Sequence, residues 1–364
     1  TPEIKKYNKK LLSDESQIET DFKKNLPLRF IISYLNKNKN FEFNQKNFNF
    51  IKDDFFKFID FPLEDEYVVP LYNFDSDLKQ EKVFGDLSIR KITNYEYKVL
   101  SNMDDFSNIP IVNKELTEVI SVKISTEDLF SGFESAEGKF QSLLDAFLLF
   151  SDGNPQFGTI YRNINNPWIP SSKDLEKQII KQKTLFFKKK DYKKILVIFN
   201  HLQNIDFSLK ENHFLLIAIG RFRSALTRTD SIDQFLDLMI SLEALYAPND
   251  KGEITTKLSN RLVTLVAKNE KDRKDLWLFM KKMYNLRSGV VHGDGIRNTE
   301  INGKKYEIDD IRDKIISLVR ESLRRYLVLS SKFSGNKKVE KICDEIDLAL
   351  LDKKNLTQLR SKLK

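Results

Sequence analysis

Apolar and polar positions follow two different periods along the chain, and the change of period divides it into two parts. Between residues 64 and 125, short runs of β-branched and aromatic residues are bounded by turn residues, which is the pattern of strands. These runs are Tyr67–Tyr72, Leu87–Ile92, Tyr95–Leu100 and Val119–Ile124. The segment Ala136–Phe150 fits either a helix or a strand, and residues 1 to 60 predict no definite element.

From Ser171 onward, apolar residues recur at intervals of three and four positions, which is the pattern of helices that bury one face. The predicted helices cover residues 209–228, 230–247, 255–268, 272–286, 309–332 and a segment from Lys337 onward. Asp230 is a good N-cap residue, and Pro248 ends the helix that Asp230 begins. Because none of these helices can bury its apolar face alone, we expect a bundle of antiparallel neighbours.

The length of 364 residues favours two packed units over one. Turn residues at Asp152–Pro155 and Asn165–Pro170 separate the two patterns, so the boundary is expected near residue 170. The sequence therefore predicts an α+β protein, with a mixed, strand-containing domain over residues 1–170 and an all-α domain over residues 171–364. In the first domain we find no catalytic constellation, and we interpret Glu64–Glu66 as a solvated acidic turn rather than a metal site.

Composition restricts the class of protein. Hydrophobic residues make up 40% of the chain and 28 residues are Phe, which suffices for globular cores. The longest apolar runs are far shorter than the roughly 20 residues that span a bilayer, so no membrane partner is expected. Cys343 is the single Cys, and it cannot form an internal disulfide, which favours a reducing, cytoplasmic location. Cys and His clusters with metal-ligand spacing are absent from the sequence, so we expect neither a metal nor another cofactor.

The net charge of +8 is a modest excess that favours a polyanionic partner. Much of it comes from residues 173 to 194, which hold nine Lys and three acidic residues. Two interpretations of this segment stay open: a solvated helix face, or a contact with an RNA backbone in which Lys188, Lys189 and Lys190 take part.

Few residues in the chain can carry acid–base or nucleophilic catalysis. Of the three His, His201 and His213 are interpreted as helix-surface or packed residues. Cys343 has no His near it in sequence, and the chain lacks a G-x-S-x-G elbow, a Walker A loop and an H-E-x-x-H helix. The remaining candidate is Arg287, followed five positions later by His292 at the end of a predicted helix.

The context of this pair is informative. The positions concerned are the helix Phe235–Tyr246, the helix Lys257–Val266, Tyr284 with Arg287-Ser288 and His292-Gly293, and the helix Ile316–Leu327. Together they resemble the HEPN superfamily, which is defined by Arg, four to six residues and His within a helical bundle, and more closely its ApeA-like branch. The resemblance covers about residues 210–330. Many HEPN proteins have Asn, Asp or His after the motif Arg, whereas this chain has Ser288, as the ApeA-like pattern favours.

The resemblance implies a metal-independent endoribonuclease with Arg287 and His292 as catalytic residues. In this family two such motifs face each other across a homodimer, so a partner chain would supply the second pair. It also implies a prokaryotic anti-phage or abortive-infection effector, whose N-terminal domain would sense a phage-derived or protein trigger. Two alternatives stay open: a noncatalytic HEPN module that binds nucleic acid or nucleotides, and the toxin of a toxin–antitoxin pair.

Chemical reasoning supports the same pair. Cleavage of RNA by its own 2′-hydroxyl needs a proton acceptor, a proton donor for the leaving 5′-oxygen and positive charge near the phosphorane oxygens. A His and a permanently charged Arg meet these needs without a metal, although one His performs only one of the two proton transfers. If Gly293 and Gly295 end the helix just beyond His292, the carbonyl end of the helix would favour a positively charged imidazole.

Four residues are candidates for supporting roles: Glu243, Tyr284, Ser288 and Asp294. Glu243 lies on an apolar-faced helix, so it either pairs with Arg287 or points to solvent. Arg261 has the same two interpretations, a partner for an acid inside the bundle or a surface charge. Asp294 either tunes His292 or forms the turn between two Gly. If Arg287 pairs with Glu243 while His292 only caps the helix, the motif is structural.

Overall fold

In the computed structural model of the chain, the described residues are 17–59, 63–94, 96–97, 117–126, 131–162, 171–175, 182–248, 252–292, 299–301 and 304–363. The protein is α+β, as the sequence predicts. It forms two compact units: the first holds residues 1–72, 78–140 and 156–179, and the second holds 73–77, 141–155 and 180–364. Two segments that precede residue 170 therefore belong to the second unit.

Helices and strands alternate in the first half of the chain and helices dominate the second. Up to residue 187 the elements are α1 (Gln17–Asn38), α2 (Gln45–Ile59), β1 (Leu63–Pro70), β2 (Phe74–Ser76), β3 (Lys82–Phe84), β4 (Leu87–Lys91), β5 (Glu118–Thr126), α3 (Ser131–Phe150), β6 (Ile160–Arg162), β7 (Ser171–Lys173) and β8 (Leu185–Phe187). The later elements are α4 (Tyr192–Gln203), α5 (His213–Thr227), α6 (Ser231–Tyr246), α7 (Ile254–Val266), α8 (Glu270–Val291), β9 (Thr299–Ile301), β10 (Lys304–Tyr306), α9 (Ile308–Ser330), α10 (Lys338–Leu351) and α11 (Lys353–Lys362).

The first unit contains a six-stranded sheet in the order β3-β4-β5-β1-β6-β7, with every neighbouring pair antiparallel. Its longest pairing runs between β1 and β5, from Leu63 opposite Thr126 to Pro70 opposite Val119. Three of the predicted strand runs, in β1, β4 and β5, are confirmed. Their β-branched and aromatic residues fill the core of the sheet, since Val68, Ile89 and Ile120 are all fully buried.

The strand predicted over Tyr95–Leu100 is wrong for the residues described there. Asn94, Glu96 and Tyr97 have helical backbone. The reason is a capping box at Thr93: the Glu96 N–H donates to the Thr93 hydroxyl at 3.2 Å, and the Thr93 N–H donates to a Glu96 carboxylate oxygen at 2.9 Å. The S/T-x-x-E spacing of these two residues is visible in the sequence and outweighs the aromatic pattern.

The acidic turn predicted at Glu64–Glu66 is also wrong, because these residues lie within β1. Asp65 is buried and pairs with the equally buried Arg162 of β6. The alternation of a strand turns Asp65 inward and Glu66 toward the partly exposed Arg90, at 3.3 Å. A buried carboxylate is tolerated there because an Arg on the neighbouring strand compensates its charge.

The second unit is a helical bundle, and the helices predicted for it are confirmed within a few residues. Asp230 caps α6 as predicted, since its side chain accepts hydrogen bonds from the N–H groups of Ile232 and Asp233. The helix expected over 272–286 extends to Val291, so Arg287 belongs to it. The segment from Lys337 onward forms two helices, because the Asp352 side chain caps a new helix.

The region from Ser171 onward is not all-α, which corrects the predicted helical pattern between Ser171 and Phe187. β7 lies there, and β8 pairs in parallel with β2. In β8, Leu185 and Phe187 are buried while Phe186 is half exposed, which is a period of two rather than 3.6. A short β9–β10 hairpin also lies between α8 and α9. The segment Ala136–Phe150, left open by the sequence, is helical in α3.

The end of α6 is fixed by side chains from neighbouring helices. The last carbonyl groups of a helix have no partner within it. Here Arg261 of α7 donates to the Tyr246 carbonyl at 2.6 Å, and the Tyr326 hydroxyl of α9 donates to the Leu245 carbonyl at 2.7 Å. Arg261 is buried and also pairs with the partly exposed Asp347 of α10 at 2.8 Å, so it is the partner of an acid of the bundle and not a surface charge. These contacts hold the turn of α6 that carries Glu243.

Candidate active site

α8 carries both residues of the Arg/His motif to a solvent-accessible end of the bundle. The helix begins at the N-cap residue Asn269, whose side chain accepts a hydrogen bond from the Asp272 N–H at 2.9 Å. Its buried residues are Leu276, Phe279, Met280 and Met283. After Met283 no residue of α8 is fully buried. The last two turns therefore leave the core, and their side chains can reach a ligand.

Arg287 is held by Glu243, so the sequence-based alternative in which Glu243 points only to solvent is wrong. The Arg287 Nε lies 3.1 Å from Glu243 Oε1, and Nη2 donates to Oε2 at 3.4 Å. The two side chains are 26% and 21% exposed, so the pair is half-buried. Among the described residues, Arg287 Nη1 makes no hydrogen bond. One side of the guanidinium fork is thus anchored, and the other can bind an anion.

Tyr284 lies one helical turn before Arg287 and completes this group. Its ring centre is 5.9 Å from the Arg287 guanidinium carbon. Burial and the nearby Glu243 charge raise the pKa of the Tyr284 hydroxyl, and the Arg287 charge offsets part of that rise. The hydroxyl therefore stays protonated at neutral pH and can act as a hydrogen-bond donor, while the ring limits the directions that the guanidinium can take.

His292 is the C-cap residue of α8, with φ −90° and ψ 8°. Its backbone N–H donates to the carbonyl groups of Gly289 at 3.0 Å and Ser288 at 3.2 Å, and the residue is exposed. The helix thus ends at His292, whereas Gly293 and Gly295, which were expected to end it, lie outside the described residues. The side chain lies at the negative end of the helix dipole with open access to solvent.

Arg287 and His292 lie on different sides of α8. Five residues of helix correspond to about 7.5 Å along the axis and about 140° around it. By the same geometry, Ser288 lies one turn before His292 on its side of the helix, and Tyr284 accompanies Arg287. Arg287 with Tyr284 therefore lies on one side of the helix end, and His292 with Ser288 lies on another. The Arg287 and His292 side chains are not neighbours on one face of the helix.

The remaining predicted site residues lie apart from this group or outside the described residues. Asp294 belongs to the latter, so its predicted role stays a prediction. Lys188, Lys189 and Lys190 are exposed and lie just before α4. They belong neither to α6, which carries Glu243, nor to α8, which carries Arg287. His201 and His213 belong to α4 and α5, and His213 is exposed.

Large apolar side chains are exposed on α5 and at the end of α8, and they were not predicted from the sequence. Leu216 and Ile217 of α5 are 48% and 50% exposed, and Val291 at the end of α8 is 55% exposed. The Ser241 hydroxyl of α6 donates to the Ala218 carbonyl of α5 at 2.8 Å, so Ile217 lies near the turn that carries Glu243. The sequence signal is the unbroken run Phe214–Ile219, which gives α5 a second apolar face.

Glu243→Gln tests the electrostatics of the pair. Burial raises the pKa of Glu243 above its ordinary value of 4.5, and the Arg287 charge offsets part of that rise. The folded protein therefore holds this proton more tightly than the unfolded chain does. The stability that this group contributes is fully present below pH 4.5 and is lost as pH rises through the folded pKa. We therefore measure the free energy of unfolding of the parent and of Glu243→Gln in urea at pH 4.5 and pH 7. The value for Glu243→Gln relative to the parent should be higher at pH 7 than at pH 4.5.

Asp233→Asn is the matched control, because Asp233 is an exposed carboxylate near the other end of α6. The difference between its free energy of unfolding and that of the parent is the baseline against which the effect of Glu243→Gln is judged. Parallel pH profiles of the parent and Glu243→Gln would show that Glu243 titrates as an ordinary surface carboxylate.

Neither a metal site nor a membrane span is found in the part of the chain that the structure describes. There, no group of three or more His, Cys, Asp or Glu side chains is placed to hold a metal ion. Likewise, none of the described helices combines the length and apolar character that crossing a bilayer requires. Comparisons of the chain with models of protein families, with curated proteins and with solved structures find no match.

Proposed function

We propose that this protein is a metal-independent endoribonuclease, in which Arg287 binds the scissile phosphate and His292 transfers a proton. One observation carries the proposal. An Arg whose guanidinium is anchored by Glu243 lies at the open end of α8, and an exposed His ends the same helix about one and a half turns later. Arg287 is thereby oriented before any substrate arrives, and His292 is accessible to one.

The chemistry assigned to the two residues is an internal transfer at phosphorus. The ribose 2′-oxygen forms a bond to phosphorus while the bond from phosphorus to the 5′-oxygen breaks. A base takes the 2′-hydroxyl proton and an acid gives a proton to the leaving 5′-oxygen, so the products are a 2′,3′-cyclic phosphate and a 5′-hydroxyl. The Arg287 fork stabilises the charge that develops on the nonbridging oxygens.

A homodimer is part of this proposal, because one motif supplies one His to a reaction that needs an acid and a base. The exposed apolar surface of α5, formed by Leu216 and Ile217, supports it, since the adjacent Ala218 contacts Ser241, two residues before Glu243, and Val291 is also exposed four residues after Arg287. A two-fold axis passing close to this surface would bring a second Arg287 and His292 to the same phosphodiester. Such a site would be complete only in the dimer.

The biological role that we propose follows the resemblance to HEPN proteins. We assign the protein to the cytoplasm of a prokaryote, where its nuclease acts in anti-phage defence after a phage-derived or protein trigger. The first unit, built on the antiparallel sheet, is then the sensor. Induced expression should slow growth of a bacterial host, and His292→Ala should remove that effect.

The mechanism is tested by the requirements and products of cleavage. The purified protein, alone or with its trigger, is incubated with end-labelled RNA in EDTA or in Mg²⁺. Cleavage should proceed in the chelator and leave 2′,3′-cyclic phosphate and 5′-hydroxyl ends, which is read from the need for kinase treatment before ligation. A requirement for Mg²⁺ or 5′-phosphate ends would refute the mechanism.

Assembly gives a separate prediction. Ile217→Glu should convert a dimeric protein to a monomer and abolish cleavage, because it places charge in the centre of the proposed interface. Light scattering and RNA cleavage are measured on the same sample. Val197→Glu is the matched control, since Val197 is 55% exposed on α4. A parent protein that cleaves RNA as a monomer would contradict the composite site.

A noncatalytic nucleic-acid-binding module is the second candidate function, and the Arg287–Glu243 ion pair favours it. A half-buried ion pair can hold α6 against α8 without any catalytic role, and a C-cap His can be structural. The two functions share the fold and the Arg, but they differ in the effect of removing the imidazole.

A further inference from the structure

A basic groove follows α9, the helix that closes the bundle. One open depression of about 700 Å³ is lined by the basic side chains of Lys183, Arg312, Arg320 and Arg324. A second, of about 630 Å³, is lined by Lys268, Arg324, Arg325 and Arg360. Arg324 lines both, so we treat them as one feature, the α9 groove. All of its lining residues belong to the second unit.

The groove holds a large share of the positive charge of the protein. Among the described residues, seven basic side chains line it, against the three carboxylates of Asp152, Asp313 and Glu321, which leaves a net charge of +4. The whole chain has a net charge of +8. A net charge of +4 gathered in one concave surface attracts a polyanion more strongly than the same charges would if scattered.

In the second depression, the positive charge of the arginines is only partly neutralised by a carboxylate. Arg324 and Arg325 share the single carboxylate of Glu321, each at 2.7 Å. Among the described residues, the only hydrogen bond of the Arg324 guanidinium is the one from Nη2 to Glu321, so Nη1 is not engaged. Arg360 reaches the Ala267 carbonyl only at 3.5 Å. These guanidinium groups retain donors for an external acceptor.

The first depression holds its arginines in fixed positions. Arg320 donates to the Leu148 carbonyl at 2.8 Å and pairs with Asp152, and its side chain is 9% exposed. Arg312 pairs with Asp309 at 2.8 Å and with Asp313 at 3.0 Å. Side chains fixed in this way lose little rotational freedom when a ligand binds.

The shape and side-chain types of the α9 groove fit a phosphodiester backbone. The interval from Arg312 to Val328 is about 24 Å of helix, long enough for several successive phosphates. The planar fork of Arg matches two phosphate oxygens. Phe150 is the one aromatic residue among the described residues that line the groove, so base stacking would contribute little, and binding should depend little on sequence.

We propose that the α9 groove binds single-stranded RNA through its backbone, independently of sequence. The choice of RNA rests on the proposed nuclease function. No lining residue of the groove belongs to α8, so the groove is a binding surface separate from Arg287 and His292. It is also distinct from Lys188, Lys189 and Lys190, which the sequence suggested for this role and which do not line it.

The test measures binding without cleavage. The 364-residue His292→Ala protein is titrated into a fluorescein-labelled single-stranded RNA of mixed sequence, and anisotropy is followed at several salt concentrations. Adding Arg324→Gln and Arg360→Gln should weaken binding at least tenfold and reduce the salt slope by about 1.4, which corresponds to two lost phosphate contacts. Replacing the same two residues by Lys should retain most of the salt slope, and melting temperatures show that each variant is folded.

Lys188→Gln with Lys189→Gln is the matched control, because it removes the same charge at exposed positions. Its binding should stay within about twofold of the parent. The groove assignment is overturned if the parent does not bind RNA, if the Arg324/Arg360 variant binds as the parent does, or if the lysine control loses as much. Failure of the nuclease proposal is distinguishable: RNA would still bind through the groove while the His292-containing protein never cleaves it.

Discussion

Replacing His292 by Ala is expected to lower the rate of RNA cleavage about a thousand-fold while leaving the fold intact. The size follows from the usual contribution of a positioned acid or base, which is about 10² to 10⁴ in rate. The fold should persist because His292 is exposed and its C-cap hydrogen bonds are made by the backbone, which Ala retains. Initial cleavage rates and the melting temperature of the same preparations check both parts.

His213→Ala is the matched control, because His213 is also an exposed His at a helix end, the first residue of α5. It should cleave at the rate of the parent. Arg287→Ala should lose activity as His292→Ala does, and Arg287→Lys, which keeps the charge but not the fork, is measured beside it. If both His292→Ala and Arg287→Ala keep full activity in cells and change only RNA affinity, the protein is a binding module.

Replacing Arg261 by Leu is expected to lower the free energy of unfolding by about 3 kcal/mol, the largest loss of stability that we expect from a single polar residue of the bundle. Arg261 is 7% exposed and connects the Tyr246 carbonyl of α6 to Asp347 of α10. Leu leaves the buried carbonyl without a donor and breaks the contact between two helices. The melting transition of the second unit should fall by about 10 °C.

Asp347→Asn separates the two contacts of Arg261. Asp347 is 45% exposed, so the loss of its charge should cost about 1 kcal/mol or less. A melting temperature of Arg261→Leu equal to that of the parent would show that Arg261 does not hold the end of α6. Cleavage by the variant is informative as well, since looser packing of that turn should misplace Glu243 and, through it, Arg287.

The elements that could be predicted from sequence are those whose signals are local. α6 was predictable because a capping Asp, a helical apolar period and a terminal Pro all lie within its own residues. The error at Tyr95–Leu100 is also local: the capping box at Thr93 and Glu96 is visible in the sequence, and it outweighs the aromatic pattern that predicts a strand. Short strands such as β8 offer too few residues for their period to stand out against neighbouring helices.

The candidate site likewise combines residues that can be identified from local spacing with contacts between residues that are distant in sequence. Arg287 and His292 are five positions apart on one helix, so their spacing alone identifies them as a motif. The sequence alone could not decide whether Glu243 pairs with Arg287, because the two residues are 44 positions apart. The α9 groove was missed for the same reason, because Lys183, Lys268 and Arg360 converge on α9 from distant parts of the chain.

The sequence by itself determined the α+β class, the helices of the second unit and the position of the Arg/His motif at the end of one of them. These depend on caps, apolar period and spacing, which act between residues a few positions apart. Only the tertiary structure decided that Glu243 orients Arg287, that Arg261 holds the end of α6 and that basic residues line one groove. Such contacts arise when packing of the apolar faces sets which helices are neighbours, and one-dimensional patterns do not specify that choice.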